Sequence, residues 1–188
     1  KATPEMRQTA TDRIRKQVDR LNDMISELLE FTRGPQSGVA LGNSNYREFV
    51  LGIVDELQPD VEPKKVRLLL RNEPPDVMVA LDPKRFHHVF TNLIHNAVDA
   101  VPEGGQIFLS FDLKDAAVVT ELEDTGTGIA PEVLGRLFEA FATFGKAKGT
   151  GLGLSICKRI VEDHRGWINA PSEAGKGAIF CFGIPVAK

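Results

Sequence analysis

The chain has 188 residues, a mass of 20.6 kDa and a formal charge of −3, with 42% hydrophobic and 26% charged residues. This composition is typical of a compact domain with an appendage and excludes disordered, collagen-like and low-complexity chains. The sequence has 23 basic and 26 acidic residues, so it lacks the excess of positive charge that binds the phosphate backbone of a nucleic acid. A nucleic acid is therefore not an expected partner.

The first 33 residues are predicted to form one long helix, which Thr3 caps and Gly34-Pro35 end. Its apolar side chains alternate in spacings of four and three residues, the seam of a coiled coil or left-handed bundle. The seam residues are Ile14, Val18, Leu21, Ile25 and Leu28. Because a lone helix cannot bury such a seam, we expect a homodimer through this helix; packing on the chain's own globular domain is the alternative.

Residues 34–45 are rich in Gly, Ser, Asn and Pro and are predicted to be a linker to a domain over residues 46–188. Helical patterns cover residues 46–58, 82–101 and 151–164. Strand patterns cover residues 66–70, 77–80, 107–113, 117–123, 167–170 and 178–185. The interspersed elements, with antiparallel closing strands, predict an α+β fold: a two-layer sandwich with a mixed sheet and helices on one face.

The helix predicted over residues 82–101 carries two asparagines, Asn92 and Asn96, and its other face is apolar. A spacing of four residues stacks the two amide groups on one side of the helix. Amide oxygens are hard, neutral ligands that suit a magnesium ion already carrying phosphate oxygens and water. Two solvated asparagines are the alternative interpretation.

Asp124 ends an apolar strand and is followed by Gly126 and Gly128. A carboxylate at a strand end can accept a hydrogen bond from an exocyclic amine such as that of adenine, and glycines let the backbone approach a ligand closely. Asp-Thr-Gly also occurs in aspartic proteases. Those enzymes need two such carboxylates on an all-β body, and this sequence has one copy and several predicted helices.

A glycine-rich turn over residues 146–155 opens the helix predicted over residues 151–164. Backbone N–H groups at a helix N-terminus favour phosphate, and Lys146 and Lys148 add positive charge. The turn matches neither the P-loop pattern nor a dinucleotide fingerprint. Taken alone, it is equally well interpreted as a flexible loop.

These three motifs follow one another in a distinctive order, with Leu137-Phe138-Glu139-Ala140-Phe141 between the last two. The order resembles the GHKL ATP-binding fold shared by sensor histidine kinases, type II topoisomerases and mismatch-repair ATPases. Over nearly all its residues the chain resembles the histidine kinases. The resemblance implies that the chain binds ATP with Mg²⁺.

The resemblance also assigns residues to the nucleotide site. It implies that Asn96 ligates the magnesium and Asp124 holds the adenine amine. It implies a base pocket formed by Gly126, Gly128 and Ile129, and a phosphate turn formed by Gly149, Thr150, Gly151, Leu152 and Gly153. Residues 142–150 would then form an ATP lid that carries Lys146 and Lys148.

One position of the resemblance favours a kinase over an ATPase. The hydrolytic relatives place a glutamate that activates water where this chain has Asn92, and an amide cannot take a proton from water. Asn92 and Asn96 are therefore the expected catalytic pair of a histidine kinase. A nucleotide-binding switch or phosphatase module and a GHKL-type ATPase are the alternatives.

The N-terminal helix resembles the second helix of the kinase dimerisation hairpin. The first helix of that hairpin, which carries the phospho-accepting histidine, is absent from the sequence. The sequence has four histidines: His87, His88, His95 and His164. None of them is followed by an acidic residue in the way that the family pattern requires. We therefore expect no autophosphorylation of this sequence alone, and a response-regulator receiver domain is the expected partner.

Two positions depart from the family pattern. Asp99 lies one turn after Asn96, where many relatives carry a basic or amide residue, and a carboxylate there could repel phosphate or help hold magnesium. Ala178 stands where the family usually has a hydroxyl that supports Asp124, so weaker binding of the base is expected.

Cysteine usage and hydropathy bear on the compartment. Cys157 and Cys181 are too few for a disulfide framework, and both are expected to be reduced. No apolar stretch approaches the roughly 20 residues of a membrane span, and the first residues lack a signal-peptide pattern. We expect a cytoplasmic chain; any membrane anchor of a longer parent would lie outside this sequence.

Overall fold

The computed structural model of the chain describes residues 41–142, 150–172 and 175–187. It also describes residues 3, 8, 10, 11, 14, 18, 21, 24, 25, 27–30 and 32 of the N-terminal segment. From residue 8 onwards these N-terminal positions have helical backbone. The five side chains of the predicted seam are 48–65% exposed in the single chain, so their apolar surface is not covered by the chain's own globular domain.

A five-stranded mixed sheet forms one layer of that domain. Its strands are β2 (Arg67–Leu70), β4 (Gln106–Lys114), β5 (Ala117–Asp124), β6 (Trp167–Asn169) and β7 (Ile179–Pro185), in the spatial order β2-β4-β5-β7-β6. The β2–β4 pair is parallel and every other pair is antiparallel. A second, two-stranded sheet pairs β1 (Gly42–Asn45) with β3 (Met78–Leu81).

Helices pack on the sheet from one side and contribute to a single core. They are α1 (Tyr46–Val61), α2 (Pro83–Ala100), the one-turn helix α3 (Pro131–Leu134) and α4 (Gly153–Asp163), with a 3-10 turn at Glu62–Lys64. Inward side chains alternate along β4 and β5, as a half-buried strand requires. The rings of Phe86 and Phe90 on α2 meet Phe182 of β7 edge-on, with centroids 5.8 and 5.5 Å away.

Side-chain caps fix where the first two long helices begin. The side-chain Oδ1 of Asn45 accepts from the backbone N–H of Glu48 at 3.1 Å. Oδ1 of Asp82 accepts from the N–H groups of Lys84 and Arg85 at 3.1 and 3.2 Å, and proline occupies the first turn. Such caps satisfy donors that the helix itself leaves unpaired. The Asp82 cap therefore fixes the residue at which α2 begins, and α2 bears the two asparagines.

The α+β prediction, with its mixed sheet, is confirmed, and the helix and strand bounds differ from the predicted ones by a few residues. One correction concerns the predicted linker. Residues 42–45 form strand β1, because β3 supplies backbone partners that a sequence of Gly, Asn and Ser does not itself indicate. Helix α3 and the 3-10 turn were also not predicted. Among the described residues, no helix combines the length and apolar character that crossing a membrane requires.

Candidate functional site

Asp124 lies at the last position of β5 and is 1% exposed. Its Oδ1 accepts two backbone hydrogen bonds, from Gly126 N–H at 2.8 Å and from Ala178 N–H at 3.1 Å. The Asp124 backbone N–H in turn donates to the Ala178 carbonyl at 2.9 Å. The carboxylate is therefore held by the backbone of two neighbouring segments. The support expected from a hydroxyl at residue 178 comes instead from the main chain of Ala178.

Glycines around Asp124 allow this close packing. Gly177 has φ +84°, and a Cβ there would overlap the carbonyl oxygen of Asp124. A Cβ at Gly126 would lie 2.7 Å from the carbonyl oxygen of Ala100 and 2.8 Å from Asp124 Oδ1. Gly128 also has a positive φ, of 73°. Any other residue at Gly126 or Gly177 would push the segments beside Asp124 apart.

Burial is the main cause of an altered acidity at Asp124. It raises the pKa of this carboxyl above its ordinary value, and the nearby Glu123 charge raises it further. The N–H groups of Ala178 and Gly126 favour the carboxylate and offset part of this rise. A largely buried acceptor at a strand end is the arrangement that recognition of an amine donor requires.

The two asparagines project from α2 and are half-buried. Asn92 lies against the first residue of α4: its Oδ1 is 2.9 Å from the position that a Cβ of Gly153 would occupy. The amide thus sits beside the N-terminus of an 11-residue helix, which Leu152 caps without a side-chain hydrogen bond. Unpaired N–H groups and the helix dipole make such an end favourable for an anion.

The turn before α4 is tightly packed. Leu152 N–H donates to Thr150 Oγ1 at 3.2 Å. Gly151 has φ +72°, and a Cβ there would lie 2.6 Å from the carbonyl carbon of Phe141, which itself has a positive φ of 64°. The last residue of the Leu137–Phe141 motif therefore fixes the approach of the phosphate turn, and only glycine fits at residue 151.

A carboxylate of the N-terminal segment reaches this turn, which the sequence analysis did not anticipate. Thr150 Oγ1 donates to Oε2 of Glu27 at 2.5 Å, and Glu27 Oε1 lies 3.6 Å from the position of a Gly153 Cβ. Nothing in the local sequence around Glu27 signals this contact. Glu27 is one charged residue among many on the polar faces of the predicted helix.

Three residues later the same segment enters a buried ion-pair cluster. Glu30 Oε1 lies 2.6 Å from both Nε and Nη2 of Arg85, and Nη2 also donates to Asp163 Oδ2 at 2.6 Å. Arg85 is 6% exposed. Burial lowers the pKa of its guanidinium, but the hydrogen bonds to Asp163 and Glu30 outweigh burial, so the pKa is raised overall. The cluster joins the N-terminal segment to the start of α2 and the end of α4.

The structure brings Asn92, Thr150, Leu152 and Gly153 together, and it gathers Gly126 and Gly177 around Asp124. Ile129 packs against the core. Asp99 is exposed and pairs with Lys64 Nζ at 2.8 Å, so an ammonium balances the carboxylate flagged as a departure. Lys146, Lys148 and Gly149, and most of the predicted lid, lie outside the described residues.

A magnesium ion fits the donors present at this site. The described residues contain no group of three or more His, Cys, Asp or Glu side chains that could hold a metal without other ligands. Mg²⁺ usually keeps several waters and takes one or two protein oxygens together with the phosphates of a substrate. The amide oxygen of Asn92 on α2, beside an anion-favouring helix end, matches that pattern.

Comparison with known proteins relates the chain to a family of ATPases that includes histidine kinases. Residues 81–188 match the family model described as "Histidine kinase-, DNA gyrase B-, and HSP90-like ATPase". The chain is 33% identical over 174 residues to the sensor histidine kinase ZraS of Salmonella typhimurium, covering 91% of this chain and 36% of that protein. It thus spans about a third of the length of that curated relative.

Solved structures with the same fold include two longer kinases. The crystal structure of full-length ShkA in complex with AMPPNP superposes with a TM-score of 0.81 at 27% identity, covering all of this chain and 40% of that one. Histidine kinase ThkA, crystallised in complex with the response regulator protein TrrA, gives a TM-score of 0.78 at 24% identity, covering 100% and 53%. At that identity the second match speaks for the fold alone.

Proposed function

The chain belongs to the family of histidine kinase-, DNA gyrase B- and HSP90-like ATPases, whose model covers residues 81–188. From this premise we propose that it is the catalytic part of a two-component sensor histidine kinase. It binds MgATP and passes the γ-phosphoryl group to a histidine other than the four in this sequence. A response-regulator aspartate is the next acceptor.

The observation that carries the proposal is the buried Asp124 carboxylate beside a glycine-lined backbone. The hydrogen bonds from Gly126 and Ala178 to that carboxylate both use Oδ1. Oδ2 is the oxygen that accepts the exocyclic amine of adenine, while Gly126, Gly128 and Ile129 surround the base. Guanine carries a carbonyl at the equivalent position and would oppose the carboxylate with a second acceptor, so the site selects adenine.

The phosphates lie at the N-terminus of α4, where backbone N–H groups of the turn over residues 150–153 meet them. Asn96, with Asn92 beside it, holds the magnesium ion. When bound, the ion neutralises phosphate charge and orients the γ-phosphoryl group. The residues of this chain position the nucleotide.

Transfer rather than hydrolysis follows from the side chain at residue 92. Asn92 lies against Gly153 at the mouth of the phosphate turn, where a general base would have to act on water. An amide cannot accept that proton, so the bound γ-phosphoryl group awaits a better nucleophile, an imidazole nitrogen. The relative ZraS is itself named a sensor histidine kinase.

The partners and location follow the same proposal. Residues 1–33 supply the second helix of a dimerisation hairpin, and their exposed apolar seam pairs two copies of the chain. Residues 46–188 form the ATP-binding domain. A receiver domain of a response regulator docks on the dimer. The chain works in the cytoplasm.

Calorimetric titration of ADP into Asp124→Asn tests the proposal. Replacing the carboxylate should weaken ADP binding by about 1.5–3 kcal/mol, the range for a hydrogen bond that involves a charged group. Asp112→Asn is the matched control, because it makes the same chemical change on an exposed side chain of β4 that pairs with Lys114. Unchanged ADP affinity in Asp124→Asn would remove Asp124 from the nucleotide site.

A further inference from the structure

Glu27 places a negative charge where the proposed function needs a phosphate. Its Oε2 accepts the Thr150 hydroxyl at 2.5 Å, and its Oε1 lies 3.6 Å from the position of a Gly153 Cβ. Asn92 Oδ1 lies 2.9 Å from that same position. One carboxylate therefore contacts the turn before α4 and lies beside the first residue of that helix and close to the asparagine of α2.

The physical reason for this contact is the same one that favours a nucleotide there. The N-cap residue of α4, Leu152, makes no capping hydrogen bond with its side chain, and the partial positive charge of the helix end draws an anion. Thr150 Oγ1 links Leu152 N–H to Glu27, so the bonds run from the turn to the carboxylate. Without nucleotide, Glu27 supplies the negative charge; with nucleotide, a phosphate oxygen has to take its place.

The Glu30–Arg85–Asp163 cluster holds Glu27 in this position. Glu30 follows Glu27 by three residues, so both side chains lie on one face of the helical segment and point to the same domain. Arg85 is buried and binds both carboxylates at 2.6 Å. Because Arg85 begins α2 and Asp163 ends α4, the N-terminal segment is anchored on the two helices that form the phosphate end.

We propose that residues 27–30 of the N-terminal segment act as an autoinhibitory strap, in which Glu27 occupies the phosphate-binding turn and must leave before the triphosphate can bind fully. This inference rests on the proposed function, because it assumes that the turn binds phosphates. It adds that nucleotide binding and release of the helix are coupled. By linkage, whatever holds the helix on the domain weakens nucleotide binding, and bound nucleotide weakens the strap by the same factor.

The test compares wild-type chain with Glu27→Gln by calorimetry, using AMPPNP with magnesium as the triphosphate probe and adenosine as the probe of the base end. Glutamine keeps the side-chain length and removes the charge. Affinity for AMPPNP should rise about tenfold, equivalent to about 1.4 kcal/mol, while affinity for adenosine should not change. Glu62→Gln, an exposed carboxylate on the 3-10 turn, controls for the change in net charge and should match wild type.

A second variant tests the anchor without touching the turn. Glu30→Gln leaves Arg85 with Asp163 but weakens the hold on the N-terminal segment, so affinity for AMPPNP should rise in the same direction and by less. A cooperative thermal unfolding transition of this variant would show that its domain is folded. Unchanged AMPPNP affinity in folded Glu30→Gln would contradict the anchoring step.

The outcomes separate the strap from the proposed function. Equal AMPPNP affinities in wild type and Glu27→Gln would overturn the strap and leave ATP binding intact. Weaker AMPPNP binding in Glu27→Gln would also overturn it, because the carboxylate would then be helping to hold the nucleotide's metal. A wild-type chain that binds neither adenosine nor AMPPNP would overturn the proposed function and the strap together.

Discussion

The two ends of the proposed nucleotide site are built in different ways. At the base end, Asp124 is 1% exposed, and main-chain N–H groups of Gly126 and Ala178 hold its carboxylate. At the phosphate end, half-buried polar side chains from α2, the turn before α4 and the N-terminal segment meet: Asn92, Thr150 and Glu27.

This difference separates recognition from control. The base end is continuous with the sheet and core, so it is formed before any ligand arrives, and a change there costs folding as well as binding. The phosphate end is an assembly of side chains from separate elements, and one of them comes from a segment that can leave. Substitutions at that end should change affinity for phosphates with little effect on folding.

The largest effect is expected from Gly177→Ala at the base end. The positive φ of Gly177 and the overlap of a new Cβ with the Asp124 carbonyl should together lower the free energy of unfolding by at least about 3 kcal/mol. ADP binding should be lost. Urea unfolding followed by circular dichroism, with ADP titration of the folded fraction, measures both effects.

Gly175→Ala is the matched control for that experiment. Gly175 has nearly the same φ, +83°, but a Cβ there meets no atom within 4 Å among the described residues. Its cost should be the conformational strain alone, about 1–2 kcal/mol. Equal destabilisation by the two substitutions would mean that the close approach of Gly177 to Asp124 does not build the base end.

The next effect concerns the phosphate end alone. Asn96→Ala removes the proposed magnesium ligand and should weaken AMPPNP binding in the presence of magnesium about tenfold, while adenosine binding and the melting temperature should stay near wild type. His95→Ala is the control, because this neighbouring side chain is exposed and faces Asp60. A parallel loss of adenosine binding in Asn96→Ala would show that the two ends are not separable.

The fold could be predicted where the local pattern determines the element. Asp82 caps α2 and Pro83 is its first residue, so the helix begins one residue after the predicted start. The apolar alternation along residues 107–113 and 117–123 predicts β4 and β5. Strand β1 could not be predicted, because Gly42–Asn45 has no apolar alternation and becomes a strand only through pairing with β3.

The base end of the site was more predictable than the phosphate end for a related reason. Asp124 and its glycines stand together in sequence, and the resemblance assigns them directly. Glu27 reaches Thr150 across 123 positions of sequence, and Glu30 reaches Arg85 across 55. No sequence periodicity indicates where a separate helix packs. The negative charge of Glu27 at the turn before α4 could therefore be found only from the tertiary structure.

A smaller effect is expected at the junction of the two helices behind the phosphate end. His164 is buried; its Nδ1–H donates to the Ile160 carbonyl at 2.6 Å, and its Nε2 accepts from Asp82 N–H at 2.9 Å. The bond accepted at Nε2 requires the neutral ring with its proton on Nδ1, whereas a charged ring would keep only the bond that Nδ1–H donates. Burial lowers the pKa of His164 below its ordinary value, and the nearby Arg85 charge lowers it further.

The sign of the pH dependence follows from that shift. Between the folded pKa and the unfolded value of about 6.5, only the unfolded chain binds the proton, so stability present above pH 6.5 is lost as the pH falls. Between pH 7.5 and 5.5, wild type should therefore lose more unfolding free energy than His164→Gln. A wild-type slope in His164→Gln would show that this ring does not link α4 to α2.

The smallest effect is expected from Ala178→Ser, which restores the hydroxyl that the family usually has beside Asp124. In this chain the Ala178 N–H already donates to Asp124 Oδ1 at 3.1 Å, and Gly126 N–H donates to the same oxygen. A buried hydroxyl adds at most one neutral-donor bond to a carboxylate that already has two donors, so we expect the low end of the net range for such a bond, about 0.5 kcal/mol. ADP affinity should therefore rise no more than about threefold, whereas Glu27→Gln at the other end changes triphosphate affinity about tenfold. A gain of tenfold or more in Ala178→Ser, measured by calorimetry with ADP, would mean that the carboxylate is poorly held by the main chain and that the base end is not preformed.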